Sequence, residues 1–446
     1  MRDRHPNGLE VPVPDESLPR LPKLTRALRG ERRRVDRKPG IVRHSGSSPG
    51  RPYPRAARPA THRRETQMER ARRYKHFDVC GPGAQRATHR YQELRMGETH
   101  NIRLEPVGID FEVDEDETIL DGAFRQGLML MHGCKEGQCA ACKSFVIDGD
   151  VDLDRYSTFA LPDYEQDEGW TLLCKAHAVC DLEIELINYD EEVLRSGVAV
   201  RTLKTRVEAI DALTHDIRRL VLALDAGDAF DFHPGQYVDI RVPGSDAYRS
   251  FSMANTPDEA GRLEFMIKLY PGGRFSGLLE GGGIAVGDEL EIRGPYGLFT
   301  LREASDRPLL FIGGGAGMAP ILSLLRAMAE RGVRRPVAYY YGARAERDLF
   351  HLDEIASLGD MLADFRFVPA LSEPDDTSAF DCETGLITDV VARGEARLGD
   401  VDAYLCGPPP MVDAAIDLLS ASGVPEQHIF FDKFTTTADS EETSRA

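Results

Sequence analysis

Cys134-Lys-Glu-Gly-Gln-Cys139-Ala-Ala-Cys142 sets three cysteines within one short run, and it is answered by Cys174 in a Leu-Leu-Cys-Lys run. Three thiols share one loop of small residues and a fourth comes from a later segment, the C-x4-C-x2-C…C spacing that holds a [2Fe-2S] cluster. Gly133, Gly137, Ala140 and Ala141 fit this reading, because small residues let backbone N–H groups approach the cluster sulfides. The competing readings are a disulfide pair or a zinc site. Zinc motifs usually pair two short C-x2-C knuckles, and no second knuckle is present.

At 446 residues the chain has room for two to four domains with proper cores. No run approaches the roughly 20 apolar residues that span a bilayer, and the N-terminus lacks an apolar signal region. Of the 8 cysteines four belong to the loop pattern and the rest are scattered, which predicts a reducing, cytoplasmic setting rather than a disulfide framework. The net charge of −19 hides an asymmetry: residues 1–95 hold about 24 Lys and Arg against about 10 Asp and Glu, leaving the remainder near −33. That first stretch is rich in Arg and Pro without apolar periodicity and reads as a disordered extension. A nucleic-acid arm, a membrane arm or a transit peptide are its functional readings. The expectation is instead that the biological start lies downstream, at Met96, which leaves residues 1–95 untranslated, or alternatively at Met68. No specific nucleic-acid or membrane partner is expected.

From Ile102 to Val113 apolar and polar residues alternate about Gly108, which predicts a hairpin. Thr118 opens a short helix that Gly127 closes, and the cysteine loop follows. Strands are expected at Ser144 to Ile147, through Trp170 and Leu172 to Cys174, and from Asp181 to Ile187. This order resembles the β-grasp fold of plant-type ferredoxins, placed at residues 96–192. Cys180 could also reach the cluster. Cys174 stands in the Leu-Leu-Cys context that these ferredoxins show, whereas Cys180 leads into the next strand, so Cys174 is the expected fourth ligand.

After a short connector, strands at Lys204 to Ile210, Arg218 to Leu224, Tyr237 to Val242, Leu263 to Leu269 and Glu289 to Arg293 predict an antiparallel barrel over residues 199–305. Arg249-Ser250-Phe251-Ser252 puts a cation, an aromatic and hydroxyls on one strand, with Arg249 and Phe251 sharing a face. Gly272-Gly273-Arg274-Phe275-Ser276 adds glycines, a cation and a helix start suited to a diphosphate. With Gly235-Gln-Tyr237 and Gly294-Pro-Tyr-Gly297, these strings resemble the FAD-binding domain of the ferredoxin-NADP reductase superfamily. The resemblance implies that Arg249 neutralises the FAD pyrophosphate, Phe251 lies against the isoalloxazine and Ser252 offers a hydroxyl near flavin N5. It also implies that Ile267 and Lys268 border the flavin and that Gly273, Arg274, Phe275 and Ser276 hold the phosphates. Phe251 stands where many relatives carry Tyr.

Beyond Arg307 the pattern becomes strand, Gly-rich turn and helix, a parallel-sheet α/β domain over residues 306–434, with 435–446 a loose tail. Gly313-Gly-Gly-Ala-Gly317-Met-Ala-Pro320 opens a helix at Ile321, and Pro320 departs from the Rossmann fingerprint. This turn, with Gly315 and Gly317, resembles the nicotinamide-domain turn of the same superfamily. Cys406-Gly407-Pro408-Pro409-Pro410-Met411 then implies a cysteine beside the nicotinamide ring, and Phe434 implies a ring covering the flavin face. Read alone, Cys406 is a buried structural cysteine before a helix cap. Arg344 and its neighbours Glu346, Arg347 and Asp348 offer both cations and carboxylates to the adenosine ribose, so the residues leave NADH and NADPH open. The resemblance favours NADH.

The three segments in this order resemble the reductase components of multicomponent bacterial oxygenases, most closely those of soluble di-iron monooxygenases acting on methane, propane, phenol or toluene. The resemblance implies electron flow from NADH to FAD, then to the [2Fe-2S] cluster, then to a separate hydroxylase component. Alternatives are the reductase of a Rieske ring-hydroxylating dioxygenase and, in another class, a non-enzymatic ferredoxin-like electron carrier. The sequence carries no di-iron Glu-x-x-His helix pair of its own.

Overall fold

The computed structural model describes residues 98–435 except 196, 260, 375–381 and 396. The expectations for residues 1–95 and for the C-terminal tail therefore lie outside the described residues, apart from Thr435.

The first sheet is built from β1 (Thr99–Glu105), β2 (Ile109–Asp114), β3 (Lys143–Asp148), β5 (Trp170–Leu172) and β7 (Leu182–Leu186), in the order β2-β1-β7-β3-β5. A small second ladder pairs β4 (Val151–Leu153) with β6 (Ala176–Ala178). Gly108 takes φ +63 at the tip of the first hairpin, a conformation that glycine adopts without a Cβ penalty. Helix α1 (Ile119–Arg125) begins where Thr118 Oγ1 accepts the Asp121 N–H at 3.1 Å, a cap that stabilises by about 1 kcal/mol. Its Ile119, Leu120, Ala123 and Phe124 enter the core with Leu104, Val113 and Ile184. Helix α2 (Asp163–Glu168) precedes β5. The connector expected after Glu192 is instead a helix, α3 (Glu191–Arg195), because Val193 and Leu194 are buried in this same core.

The second sheet has the order β11-β10-β13-β8-β9-β12, formed by β8 (Arg201–Ala212), β9 (Ile217–Leu224), β10 (Tyr237–Arg241), β11 (Tyr248–Ser252), β12 (Arg262–Lys268) and β13 (Glu289–Tyr296). Every pairing in it is antiparallel. Strand alternation sends Val238, Ile240, Phe265, Ile267 and Ile292 inward to one apolar cluster. Helix α4 (Arg274–Glu280) closes one end with Phe275 and Leu279.

The third sheet is parallel and runs β17-β16-β15-β14-β18-β19, from β14 (Leu309–Gly314), β15 (Val337–Ala343), β16 (Phe365–Leu371), β17 (Glu383–Thr384), β18 (Asp402–Gly407) and β19 (Ile429–Lys433). Strands β14 and β18 are buried at every residue, as a parallel sheet covered on both faces requires. The covering helices are α5 (Met318–Arg331), α6 (Leu352–Met361), α7 (Ile387–Gly394) and α8 (Pro409–Ala421). Among the described residues no helix is long and apolar enough to cross a membrane.

One buried carboxylate ties the strand ends of this sheet together. Asp402, fully buried at the start of β18, meets Arg335 at 2.5 Å, His428 at 2.7 Å and Arg307 at 3.4 Å. Asp402→Ala leaves the Arg335 guanidinium buried without its partner. It is expected to cost about 3–5 kcal/mol in the urea unfolding of this part of the chain. A loss under 1 kcal/mol contradicts that role.

Candidate functional site

The cysteine loop folds so that its thiols meet in two pairs. The thiols of Cys134 and Cys139 hydrogen-bond to each other, as do those of Cys142 and Cys174. Backbone N–H groups of Glu136 and Gln138 donate to Cys134 Sγ at 3.4 and 3.2 Å, and that of Cys134 donates to Cys139 Sγ at 3.3 Å. Within each pair the shared hydrogen bond lowers one thiol and raises its partner, so that Cys134 and Cys142 go down while Cys139 and Cys174 go up, and the backbone N–H donors lower Cys134 further. Such a nest of N–H groups stabilises sulfur in its anionic, metal-binding form. Lys135 and Ala140 take φ 55 and 58, so the loop doubles back on itself. A methyl group at Gly133 would lie 2.9 Å from Cys139 Sγ, and one at Gly137 would lie 2.8 Å from Tyr156 Cβ.

A single tetrahedral zinc with bonds of about 2.3 Å would draw four sulfurs to within about 3.8 Å of one another. No three of these thiols reach even 4.8 Å mutual separation; among the described residues the trio that does is His215, Asp216 and Asp348. Two thiol pairs suit two iron atoms, so the residues fit a binuclear cluster. Cys180 lies elsewhere, with its Sγ accepting the Asp150 N–H at 3.3 Å.

On the barrel, β11 pairs with β10 so that Ser252 stands opposite Tyr237 and Ser250 opposite Asp239. Arg249 is half-buried on this edge strand and donates to the Tyr248 carbonyl at 2.7 Å. The Phe251 ring packs 4.9 Å from that of Phe275. Ile267 departs from expectation: it is 1% exposed inside the barrel, so its side chain serves the core rather than a cofactor surface. Phe275 is likewise a core residue. Lys268 pairs with Asp216 at 2.5 Å. The Ser276 hydroxyl is engaged by its own loop, accepting from Tyr270 N at 3.2 Å and donating to Tyr270 O at 3.3 Å. Gly273 is the N-cap of α4, Arg274 is exposed beside it, and the space a side chain at Gly272 would take is open. An edge strand with Arg249 and an open glycine turn with Arg274 suit a dinucleotide diphosphate.

In the parallel sheet Gly313 and Cys406 are direct register partners. The two motifs, distant in sequence, thus share one strand end. Gly317 packs so closely that a Cβ there would lie 2.2 Å from the Cys406 carbonyl oxygen, while a side chain at Gly315, φ +56, would meet nothing within 4 Å. Met411 packs under the turn, 2.8 Å from the Cβ position of Gly314, and Pro408 is the N-cap of α8. The space over Gly315, just before the start of the 14-residue α5, is open, and a helix start of this kind suits a phosphate group. Pro320 sits in the first turn of α5, where its missing N–H leaves no bond unmade. Arg344 is exposed beyond β15, 4.0 Å from Asp216.

Two residues that the sequence reading did not single out as functional join these parts. Asp432 on β19 reaches Ser252, whose Oγ donates to Asp432 Oδ2 at 3.5 Å, and burial raises this carboxyl to about 6. Burial also pushes up the nearby Cys406 thiol, helped by the negative charge of Asp432. Phe434 is half-buried against the same core, with its N–H donating to Gly407 O at 3.0 Å. Tyr237 is held in its neutral form by burial, with Asp239, Asp432, Tyr296 and Cys134 all close enough to act on it. It is the register partner of Ser252, and its ring lies 5.2 Å from the Lys135 ammonium of the cysteine loop.

Comparison with known proteins agrees with this arrangement. Residues 102–179 match the 2Fe-2S iron-sulfur cluster binding domain, 204–301 the oxidoreductase FAD-binding domain and 311–417 the oxidoreductase NAD-binding domain. The chain is 54% identical to the reductase component of propane 2-monooxygenase from Rhodococcus jostii (strain RHA1), over 78% of this chain and 96% of that protein. It is 37% identical to the phenol 2-monooxygenase reductase component DmpP of Pseudomonas sp. (strain CF600), over 76% and 96%. Among solved structures it is similar to an Amycolatopsis cytochrome P450 reductase, GcoB, with 32% identity and TM-score 0.69 over 76% of this chain and 99% of that one. The cofactors are a [2Fe-2S] cluster, FAD and NADH. The chain belongs to the family of reductase components of multicomponent monooxygenases, in which a ferredoxin domain precedes a ferredoxin-NADP reductase-type pair of flavin and nicotinamide domains.

Proposed function

We propose that this reductase serves the hydroxylase component of an alkane monooxygenase, with propane the leading substrate of that partner. The observation that carries this reading is the 54% identity to a propane 2-monooxygenase reductase across 96% of its length, against 34% to a toluate 1,2-dioxygenase electron transfer component. The dioxygenase alternative is disfavoured by the same difference. Mixing the purified protein with a propane-oxidising hydroxylase should give NADH consumption that depends on propane. Electron delivery to a dioxygenase alone would overturn the assignment.

Bound FAD supplies the conversion between the two electrons of the NADH hydride and the single electrons that the cluster carries. The chain's own residues bind, orient and shield. Cys134 and Cys139 are proposed to hold one iron, and Cys142 and Cys174 the other. Arg249 and Arg274 neutralise the FAD diphosphate, and the Phe251 ring covers one flavin face. Gly315 and Gly317 let the NADH diphosphate approach the start of α5, while Cys406, Gly407, Pro408 and Met411 form the floor under the nicotinamide. Phe434 guards the flavin face until nicotinamide arrives. Arg344 faces the adenosine end of NADH. Ser252 Oγ donates its proton to a hydrogen bond with the Asp432 carboxyl, and this pair would stand beside the flavin when it is bound. The domain breaks are proposed between residues 192 and 199 and near residue 305.

Cys174→Ser should abolish or alter the cluster's absorption and EPR signal while Cys180→Ser leaves both intact; the reverse result would exchange the two assignments. Arg249→Ala should release FAD on gel filtration and keep the iron-sulfur signal, and full flavin retention would remove that role. Asp432 gives a pH test. Its folded value near 6 lies above the usual 3.9 or so, so its contribution to stability is present at low pH and lost as pH rises through about 6. The melting temperature of Asp432→Asn relative to the unmodified protein should therefore rise between about pH 4 and pH 6.5 and level off above that. A constant difference would mean that the carboxyl does not titrate there.

A further inference from the structure

The second residue of the cysteine loop turns away from the thiols. Lys135 adopts φ 55, and its ammonium reaches the barrel, 2.5 Å from Asp239 Oδ2 on β10. The two side chains are only 21% and 13% exposed. The ammonium also lies 3.5 Å from the centre of the Tyr296 ring and 5.2 Å from that of Tyr237. Asp239 is held from its other side by Ser250 Oγ at 2.6 Å. This is not an ordinary surface ion pair, whose contribution is typically about 0–1 kcal/mol and falls away with screening. The ammonium is ordered by a carboxylate and two ring faces at once. A second, weaker tie runs nearby, from Arg293 on β13 to Asp121 on α1 at 3.3 Å. His132 packs edge-on to Phe124 at 4.8 Å and to the Tyr296 ring at 6.4 Å.

The register of β10 gives the contact its significance. Asp239 lies two residues from Tyr237, and Tyr237 is the direct partner of Ser252 on β11. The strand that receives Lys135 is thus the strand that borders the proposed flavin site. A shift of the cysteine loop along β10 would change the separation between cluster and flavin directly.

We propose that the Lys135–Asp239 ion pair is a latch that fixes the cysteine loop against β10 and so sets the rate of electron passage from flavin to cluster. Lys135 is a positioning residue in this account; it binds neither cofactor. The role rests on the reductase reading above, and its test separates the two. If NADH fails to bleach the flavin of the unmodified holoprotein, the reductase reading itself fails.

In anaerobic rapid mixing with NADH, Lys135→Met and Asp239→Asn should bleach the flavin at rates within about twofold of the unmodified protein. Reduction of the cluster, followed by freeze-quench EPR, should slow by about ten- to a hundredfold in both, the scale of a small misplacement of reacting groups. Lys135→Arg should recover most of the rate. Hydrogen exchange at residues 133–139 should quicken in the two slow variants, a readout independent of turnover. Asp239→Asn retains the cation beside the cluster, so it distinguishes positioning from a plain charge effect. The proposal is overturned if cluster reduction keeps its rate in Asp239→Asn. It is equally overturned if the slowing in Lys135→Met is accounted for by a changed cluster midpoint potential with unchanged exchange.

Discussion

Electrons pass between protein-bound centres only where the centres are held close together, and the fold meets that constraint on two adjacent strands. The pair Tyr237 and Ser252 joins β10 to β11. The cysteine loop reaches this place from one side through Lys135 and Asp239, and the C-terminal strand reaches it from the other through Asp432. The nicotinamide domain adds its own close approach, in which the backbone of Gly317 lies against the Cys406 carbonyl with no room for a methyl group. Each approach depends on a residue type that cannot be exchanged freely. Glycine is needed where backbones meet, and opposite charges are needed where two domains must be held in register.

The chemistry follows from this packing more than from any single reactive side chain. The cysteine loop supplies sulfur in two pairs surrounded by N–H donors, and the glycine turn leaves an open place at the start of a 14-residue helix. Burial keeps His132, Tyr237 and Cys406 in their neutral forms, and His132 is lowered to about 4. The buried charges that remain near the cysteine loop are paired, as the cost of isolating an ion requires.

Much of the fold was legible because its signals are local. The hairpin about Gly108, the Thr118 cap and the alternation of the barrel strands lie within a few residues of one another, and the observed elements follow them. The cysteine spacing likewise sets Cys134, Cys139 and Cys142 on one loop, whereas the pairing of Cys142 with Cys174 joins that loop to a later segment. Other features depend on contacts far apart in sequence. Lys135 and Asp239 are separated by 104 positions and Ser252 and Asp432 by 180, so no local pattern announced either pair. Asp432 stands two residues before Phe434, the aromatic that the resemblance pointed to, yet its carboxylate is what reaches Ser252. Helix α3, at five residues, is too short to show a helical period. Ile267 faces inward because strand register, and not the identity of the motif, decides which side a residue takes.

One chain thus carries electrons from NADH through a flavin to a [2Fe-2S] cluster. An anaerobic titration of the holoprotein with NADH, followed by absorption and EPR together, tests it most directly. Two electrons for the flavin and one for the cluster predict an endpoint near about 1.5 equivalents of NADH, with the reduced-cluster EPR signal fully developed. An endpoint near about one equivalent with the cluster left oxidised would contradict it.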